Sequence, residues 1–170
     1  MIEEVVIHQE VIYRTTYTGD SSIIDLHNKH LLDFDKGRQV SNKGGYQSNN
    51  ITFGYDDLIK FIANCFLEKG VKVSLMNFWL NINKGQDYNE PHVHSTETFS
   101  AVYYHKVCCD RCPIVFSDLV PQLNGWKHSF VPKDKEIVLF DSMIPHRVLG
   151  CNNLDHERIS IAFNFAILKQ

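Results

Sequence analysis

The chain has no stretch near the ~18 consecutive apolar residues that a membrane-spanning helix needs. Its opening, MIEEVVIHQEVIY, has neither a basic n-region nor an apolar h-region, so no secretory signal is expected. There is no excess of positive charge: 17 Lys and Arg against 20 Asp and Glu leave −3. That argues against a non-specific nucleic-acid coat or an anionic-membrane binder, since both need a basic surface. No internal repeat, low-complexity tract or Pro/Ser linker appears. Cysteine is sparse and odd in number, five in all, with three crowded into 108–112. This is not a disulfide framework, and a reducing, cytoplasmic interior is the expected setting. What remains is an ordinary globular balance of 44% apolar and 22% charged residues in 170 positions. One domain of that length buries roughly 70% of its unfolded surface and needs no structural metal or disulfide to fold. Histidine, with nine copies, is plentiful.

Periodicity divides the chain near residue 70. Residues 2–17 alternate loosely (Val6, His8, Glu10, Ile12) and read as one or two strands. Ser21-Ser22 then predicts the cap of a helix over 22–34, carrying Ile23, Ile24, Leu26, Leu31 and Leu32. Residues 35–50 hold three glycines and many amides and read as a long loop with a functional role. A second amphipathic helix is predicted over 55–69, with Asp56 and Asp57 in its first turn and Gly70 after its end. Beyond it, short apolar runs recur at 71–83, 91–95, 98–107, 113–118, 126–131, 136–141, 145–150 and 157–168. About eight such strands predict a sandwich or jelly roll. The expected class is α+β: a double-stranded β-helix core over 71–170, with 1–70 as support and two N-terminal helices packed on one face.

Chemistry concentrates in a few places. His92-Val93-His94 puts two imidazoles at i and i+2, on one face of a strand, where they can hold one metal. His146, 52 residues on and expected on an opposite strand, is the best third ligand; the bland alternative is an exposed strand edge. In ERISIAFNFAI, Arg158, Ser160, Ala162 and Asn164 share one face, and Ile159, Ile161, Phe163 and Phe165 share the core face. Arg158 and Ser160 on one face make a carboxylate clamp, or else Arg158 is a rim partner of an acidic side chain. Asn77, Trp79, Asn81 and Asn83 share a face of SLMNFWLNIN and line a polar pocket or a solvated edge. Tyr103, on the face of Phe99 and Ala101, is either a phenol donor to a bound acid or a buried structural tyrosine. His105, Cys108, Cys109 and Cys112 gather four soft ligands in eight residues, but no second Cys-x-x-Cys pair completes a zinc motif, and reduced thiols are the simpler reading. His128 and His156 read as surface histidines.

Taken in order, NFWLNINKGQDYNEPHVHSTETFSAVYYHKV, IVLFDSMIPHRV and ERISIAFN resemble the 2-oxoglutarate and Fe(II)-dependent oxygenase superfamily, most nearly a small branch found in phages and bacteria. The resemblance covers roughly residues 40–168 and implies a double-stranded β-helix fold, Fe(II) as metal and 2-oxoglutarate and dioxygen as cosubstrates. It implies that His92 and His146 are the metal histidines and that Arg158 and Ser160 grip the distal carboxylate, with Tyr103 and Asn81 beside it. No catalytic residue beyond the metal centre is implied. His94 falls where most members have Asp or Glu, so either three histidines serve or a nearby carboxylate, Glu97 first, completes the set. The primary substrate stays open; no membrane partner is expected, nucleic acid is disfavoured, and a phage-encoded copy would work in the host cytoplasm.

Two other readings compete. A cupin-type metalloprotein suits Gly85, His92, His94 and Glu97, but no Pro-x-Gly precedes His146, and Arg158 and Ser160 go unexplained. A non-catalytic jelly-roll binding or virion-associated protein keeps the fold with a dead site.

Overall fold

The computed structural model describes residues 10–94, 98–107, 112–117, 126–151 and 155–168. Among the described residues, eleven strands and two helices follow in the order β1 (Ile12–Thr16), α1 (Ser22–Phe34), β2 (Asn42–Lys43), β3 (Tyr46–Gln47), α2 (Asp56–Glu68), β4 (Val73–Lys84), β5 (Tyr88–His92), β6 (Thr98–Val107), β7 (Ile114–Ser117), β8 (Trp126–Phe130), β9 (Glu136–Asp141), β10 (His146–Val148) and β11 (Glu157–Ile167). They form two antiparallel sheets, β1-β9-β6-β11-β4-β3 and β2-β5-β10-β7-β8, in a jelly-roll-like arrangement.

Alternation on the long strands explains the layering. On β11, Ile159, Ile161, Phe163 and Phe165 join Phe78 and Leu80 of β4 and Leu58, Ile62 and Phe66 of α2 in one apolar cluster. Ile24 and Leu31 of α1 belong to the same cluster. The other face of the six-stranded sheet meets the five-stranded sheet: Tyr104, Val138 and Phe140 pack on Ile114 and Phe116. Both faces of the larger sheet are therefore covered, one by helices and one by the second sheet.

The helices span 22–34 and 56–68, close to the expected bounds. The cap of α1 differs: Ser21 makes no side-chain capping bond, and the Asp20 carboxylate accepts from the Ser22 amide and hydroxyl instead. Ile23, Leu26 and Leu32 face solvent, and only Ile24, Asn28 and Leu31 of this helix are buried. The segment expected to be a loop over 35–50 contains β2 and β3, and these stitch the two sheets together. Asn42 and Lys43 pair with Asn89 and Tyr88 in the smaller sheet, while Tyr46 and Gln47 pair with Ile82 and Asn81 in the larger. Gly44 and Gly45 make the turn between them at φ +70° and +63°. A Cβ at position 45 would also lie 2.6 Å from the Ile82 carbonyl oxygen, so glycine is required there.

Candidate metal centre and cosubstrate cavity

His92 is the last residue of β5, and His146 opens β10 directly opposite it in the antiparallel register. These are neighbouring strands of one sheet, not opposite strands as expected. His94 lies two residues past the end of β5, so strand parity is not what aims it. Its amide donates to the Ser142 carbonyl instead, at 2.8 Å, which holds the segment beside the turn after β9. The three rings nevertheless meet: their ligand atoms lie within 4.8 Å of one another, and the His94 and His146 Nε2 atoms are 3.3 Å apart.

The surroundings fix the rings. Nδ1 of His92 bonds the Glu90 carbonyl at 2.7 Å, and Nδ1 of His146 bonds the Ile144 carbonyl at 2.9 Å. A carbonyl only accepts, so each Nδ1 carries the proton and each Nε2 keeps its lone pair. His94 stacks on Trp79, with centroids 5.9 Å apart and planes at 17°, and is hydrogen-bonded to Asn164. Asn164 is held in turn by Ser100 at 3.0 Å and donates to Asn77 at 3.0 Å. Phe140 meets His146 edge-on at 4.8 Å. Burial disfavours the charged imidazoles: His146 is held well below the usual histidine range and His92 below it. Burial, with the neighbouring His92 second, pushes His94 down to about 4. Three neutral imidazoles converging on one point fit a divalent transition metal, and the outer hydrogen bonds of His92 and His146 are of the kind that orients metal ligands. Glu97, Cys108 and Cys109 lie outside the described residues. Among the described residues the grouping contains no carboxylate.

From the histidines a cavity of about 540 Å³, mouth included, runs between the sheets. Asn81, Asn83, Tyr104, Arg158 and Ser160 line it. Ala162 of β11 pairs with Trp79, the residue under His94, and Arg158 lies four residues further along the same strand. At strand rise this is about 13 Å from the histidine end. Arg158 is 3% exposed and donates to the Cys112 carbonyl and to Asn83 Oδ1, each at 3.2 Å. It is a buried cavity residue and no rim arginine. Ser160 and Asn81 face each other in register on the cavity wall between these ends.

Tyr103 requires a correction. It is fully buried in the helix-side cluster, edge-on to Tyr17, and does not reach the cavity. Its neighbour Tyr104 lines the cavity, and the Tyr104 hydroxyl is buried with no hydrogen-bond partner among the described residues. Tyr104 shares strand parity with Ser100 and Val102, which also line the cavity, but both faces of β6 are buried and the sequence holds no signal for which one meets the second sheet. His105 turns away as well, pairing with Asp25 at 2.7 Å, and so leaves the cysteines. His156, expected at the surface, is half-buried beside Cys151, while His128 is exposed.

Facing antiparallel sheets, three convergent imidazoles at one end of the gap and a buried arginine further in define a jelly-roll-like protein with metal-site geometry. Solved structures that share this fold include members of the 2-oxoglutarate/Fe(II) oxygenase family. A prolyl-4-hydroxylase of Pseudomonas putida superposes with a TM-score of 0.64 at 15% identity, covering 93% of each chain. SnoN, described as a non-haem α-ketoglutarate-dependent epimerase from nogalamycin biosynthesis, gives 0.70 at 12% identity over 92% of this chain and 77% of its own. HygX of Streptomyces hygroscopicus, solved with nickel and 2-oxoglutarate bound, gives 0.61 at 8% identity over 91% and 82%. No protein-family model matches the sequence, and no curated protein does.

Proposed function

We propose that this protein is a 2-oxoglutarate- and Fe(II)-dependent dioxygenase of the hydroxylating type, its core a double-stranded β-helix within one domain. The observation that carries the reading is the pairing of two features in one cavity: three inward imidazole nitrogens and, about 13 Å along β11, the buried Arg158 guanidinium. His92, His94 and His146 would hold the metal, with His94 in the place where the resembling family has a carboxylate. When bound, Fe(II) with 2-oxoglutarate and dioxygen supplies the oxidant for an unactivated C–H bond.

The chain's own work is positional. The backbone carbonyls of Glu90 and Ile144 fix the tautomers of His92 and His146, so neither Nε2 spends its lone pair on a proton. Phe140 and Phe116 pack against His146 and Trp79 stacks on His94, which holds these rings in place. Arg158 offers a permanent charge and a planar fork to the distal carboxylate of the cosubstrate, and Ser160 and the Tyr104 hydroxyl add donors from the same walls. Asn83 and the Cys112 carbonyl hold the guanidinium in place before the ligand arrives. His92, His94 and His146 as three neutral ligands would leave a bound divalent metal its full charge, which would favour an anionic cosubstrate.

The test is anaerobic. Fe(II) and then 2-oxoglutarate are added to metal-free protein, and the visible metal-to-ligand charge-transfer band is sought. The band appears if the cosubstrate chelates the metal here. Fe(II) binding with no band on adding 2-oxoglutarate leaves the cupin-type reading, which uses the same histidines but gives Arg158 no ligand. Absence of Fe(II) binding leaves a non-catalytic binding protein.

A further inference from the structure

At the far end of the same sandwich, where β4 and β10 end and β7 and β11 begin, Cys112, Cys151 and His156 converge. Their ligand atoms lie within 4.8 Å of one another, and Cys151 Sγ is 2.9 Å from His156 Nδ1. Cys112 and Cys151 are buried, at 8% and 2% exposure, and neither is in a disulfide. The three come from separate segments held in one frame. The Cys151 amide donates to the Gly85 carbonyl, the Gly85 amide to the His156 carbonyl and the Leu149 amide to the Pro113 carbonyl, at 2.7, 3.0 and 3.1 Å. A second cavity of about 210 Å³ opens onto Cys112 and His156 and shares Asn83 and Arg158 with the first.

We propose that Cys112, Cys151 and His156 form a second metal site, specific for zinc and separate from the histidine centre. Two sulfurs and one imidazole at this spacing are a soft donor set that prefers Zn(II) in tetrahedral geometry, with the fourth position turned to the small cavity. Binding releases a proton from each thiol, and Zn(II) with two thiolates is electrically neutral. It therefore sets no repulsion against the neighbouring Arg158. Its consequence is mechanical: the metal would pin Cys112, whose carbonyl receives the Arg158 guanidinium. The site does not depend on the oxygenase reading.

The two sites separate spectroscopically, because only this one contains sulfur. Protein reduced with a phosphine and freed of metal is titrated with Co(II). A thiolate-to-cobalt charge-transfer band in the near ultraviolet is expected to saturate within the two equivalents that the two sites can take, at an intensity of one thiolate-bound cobalt per chain, and to bleach on adding Zn(II). Cys112→Ser and Cys151→Ser are expected to abolish it. His156→Gln should weaken cobalt binding at least about tenfold, since loss of a direct ligand costs no less than loss of an outer partner. Cys108→Ser combined with Cys109→Ser should retain the band. Circular dichroism checks the fold of each variant, and Cys151→Ala replaces any serine variant that fails it. Absence of the band in reduced wild-type protein overturns the site, whatever the variants do. So does its survival in Cys112→Ser and Cys151→Ser, its loss in the Cys108/Cys109 double variant, or a Cys112–Cys151 disulfide that persists in place of metal uptake.

Discussion

Replacing Arg158 by Met is the sharpest perturbation of the cosubstrate cavity. Methionine keeps an unbranched apolar stem and deletes the guanidinium, so the Cys112 carbonyl and Asn83 Oδ1 each lose a donor. With 3% exposure, water does not readily replace them, and the metal-free protein should lose about 1–3 kcal/mol for each group left unsatisfied. The larger effect falls on binding. A carboxylate brought into this interior without its charge partner costs about 2–5 kcal/mol, or roughly 30- to 4,000-fold in the dissociation constant of 2-oxoglutarate. Lysine keeps the charge and loses the fork, so Arg158→Lys should lie between the two. Fe(II) affinity should be unchanged in both variants, since about 13 Å of strand separates Arg158 from the histidine end. The assay is anaerobic titration of 2-oxoglutarate at saturating Fe(II), with the thermal midpoint of each variant measured alongside. Equal affinities in wild type and Arg158→Met would show that the arginine only braces Cys112 and Asn83, and the assignment of the cavity to a dicarboxylate would fall.

The adjacent tyrosines separate cleanly. Tyr104→Phe removes a buried hydroxyl that has no partner among the described residues, so the metal-free thermal midpoint should not fall, while 2-oxoglutarate binding weakens by about 1.5–3 kcal/mol; Tyr103→Phe should leave that affinity unchanged. The histidine cluster makes the metal-free fold acid-sensitive. His94 is held at about 4 in the folded state against about 6.5 unfolded, so the unfolded chain binds more protons between those values. Stability is then full above pH 6.5 and falls as the pH drops toward 4. Urea midpoints measured from pH 7 to 5 should show this slope, and His94→Asn should flatten it; an unaltered slope in the variant would refute the assignment. Ile62→Ala, at a position with 0% exposure between α2 and the larger sheet, should cost about 2–5 kcal/mol in chemical denaturation, and a cost below 1 would mean that the helix face is not tightly packed.

Local pattern carried much of this protein. The period of Leu58, Ile62 and Phe66 specifies α2, because a 3.6-residue repeat puts them on one stripe whatever they pack against. The alternation in β11 likewise separates Arg158 and Ser160 from Ile159, Ile161 and Phe163, because successive strand residues point to opposite faces. The spacing of His92, His94 and His146 and the order in which Arg158 follows them were also legible, since motif order is a property of the chain. Which buried face of the larger sheet meets the helices and which meets the second sheet was not. Both faces of β6 are buried, so hydrophobicity does not distinguish Tyr103 from Tyr104, and only the packing of two sheets decides between them. The pairing of β2 and β3 escaped notice because two-residue strands have no period to detect. Sequence neighbours suggested that Cys112 belonged with His105, yet His105 reaches Asp25 and Cys112 meets Cys151 and His156, about 40 residues away. Contacts at that separation arise when the sheets close and bring the ends of four strands to one corner, which no local rule encodes.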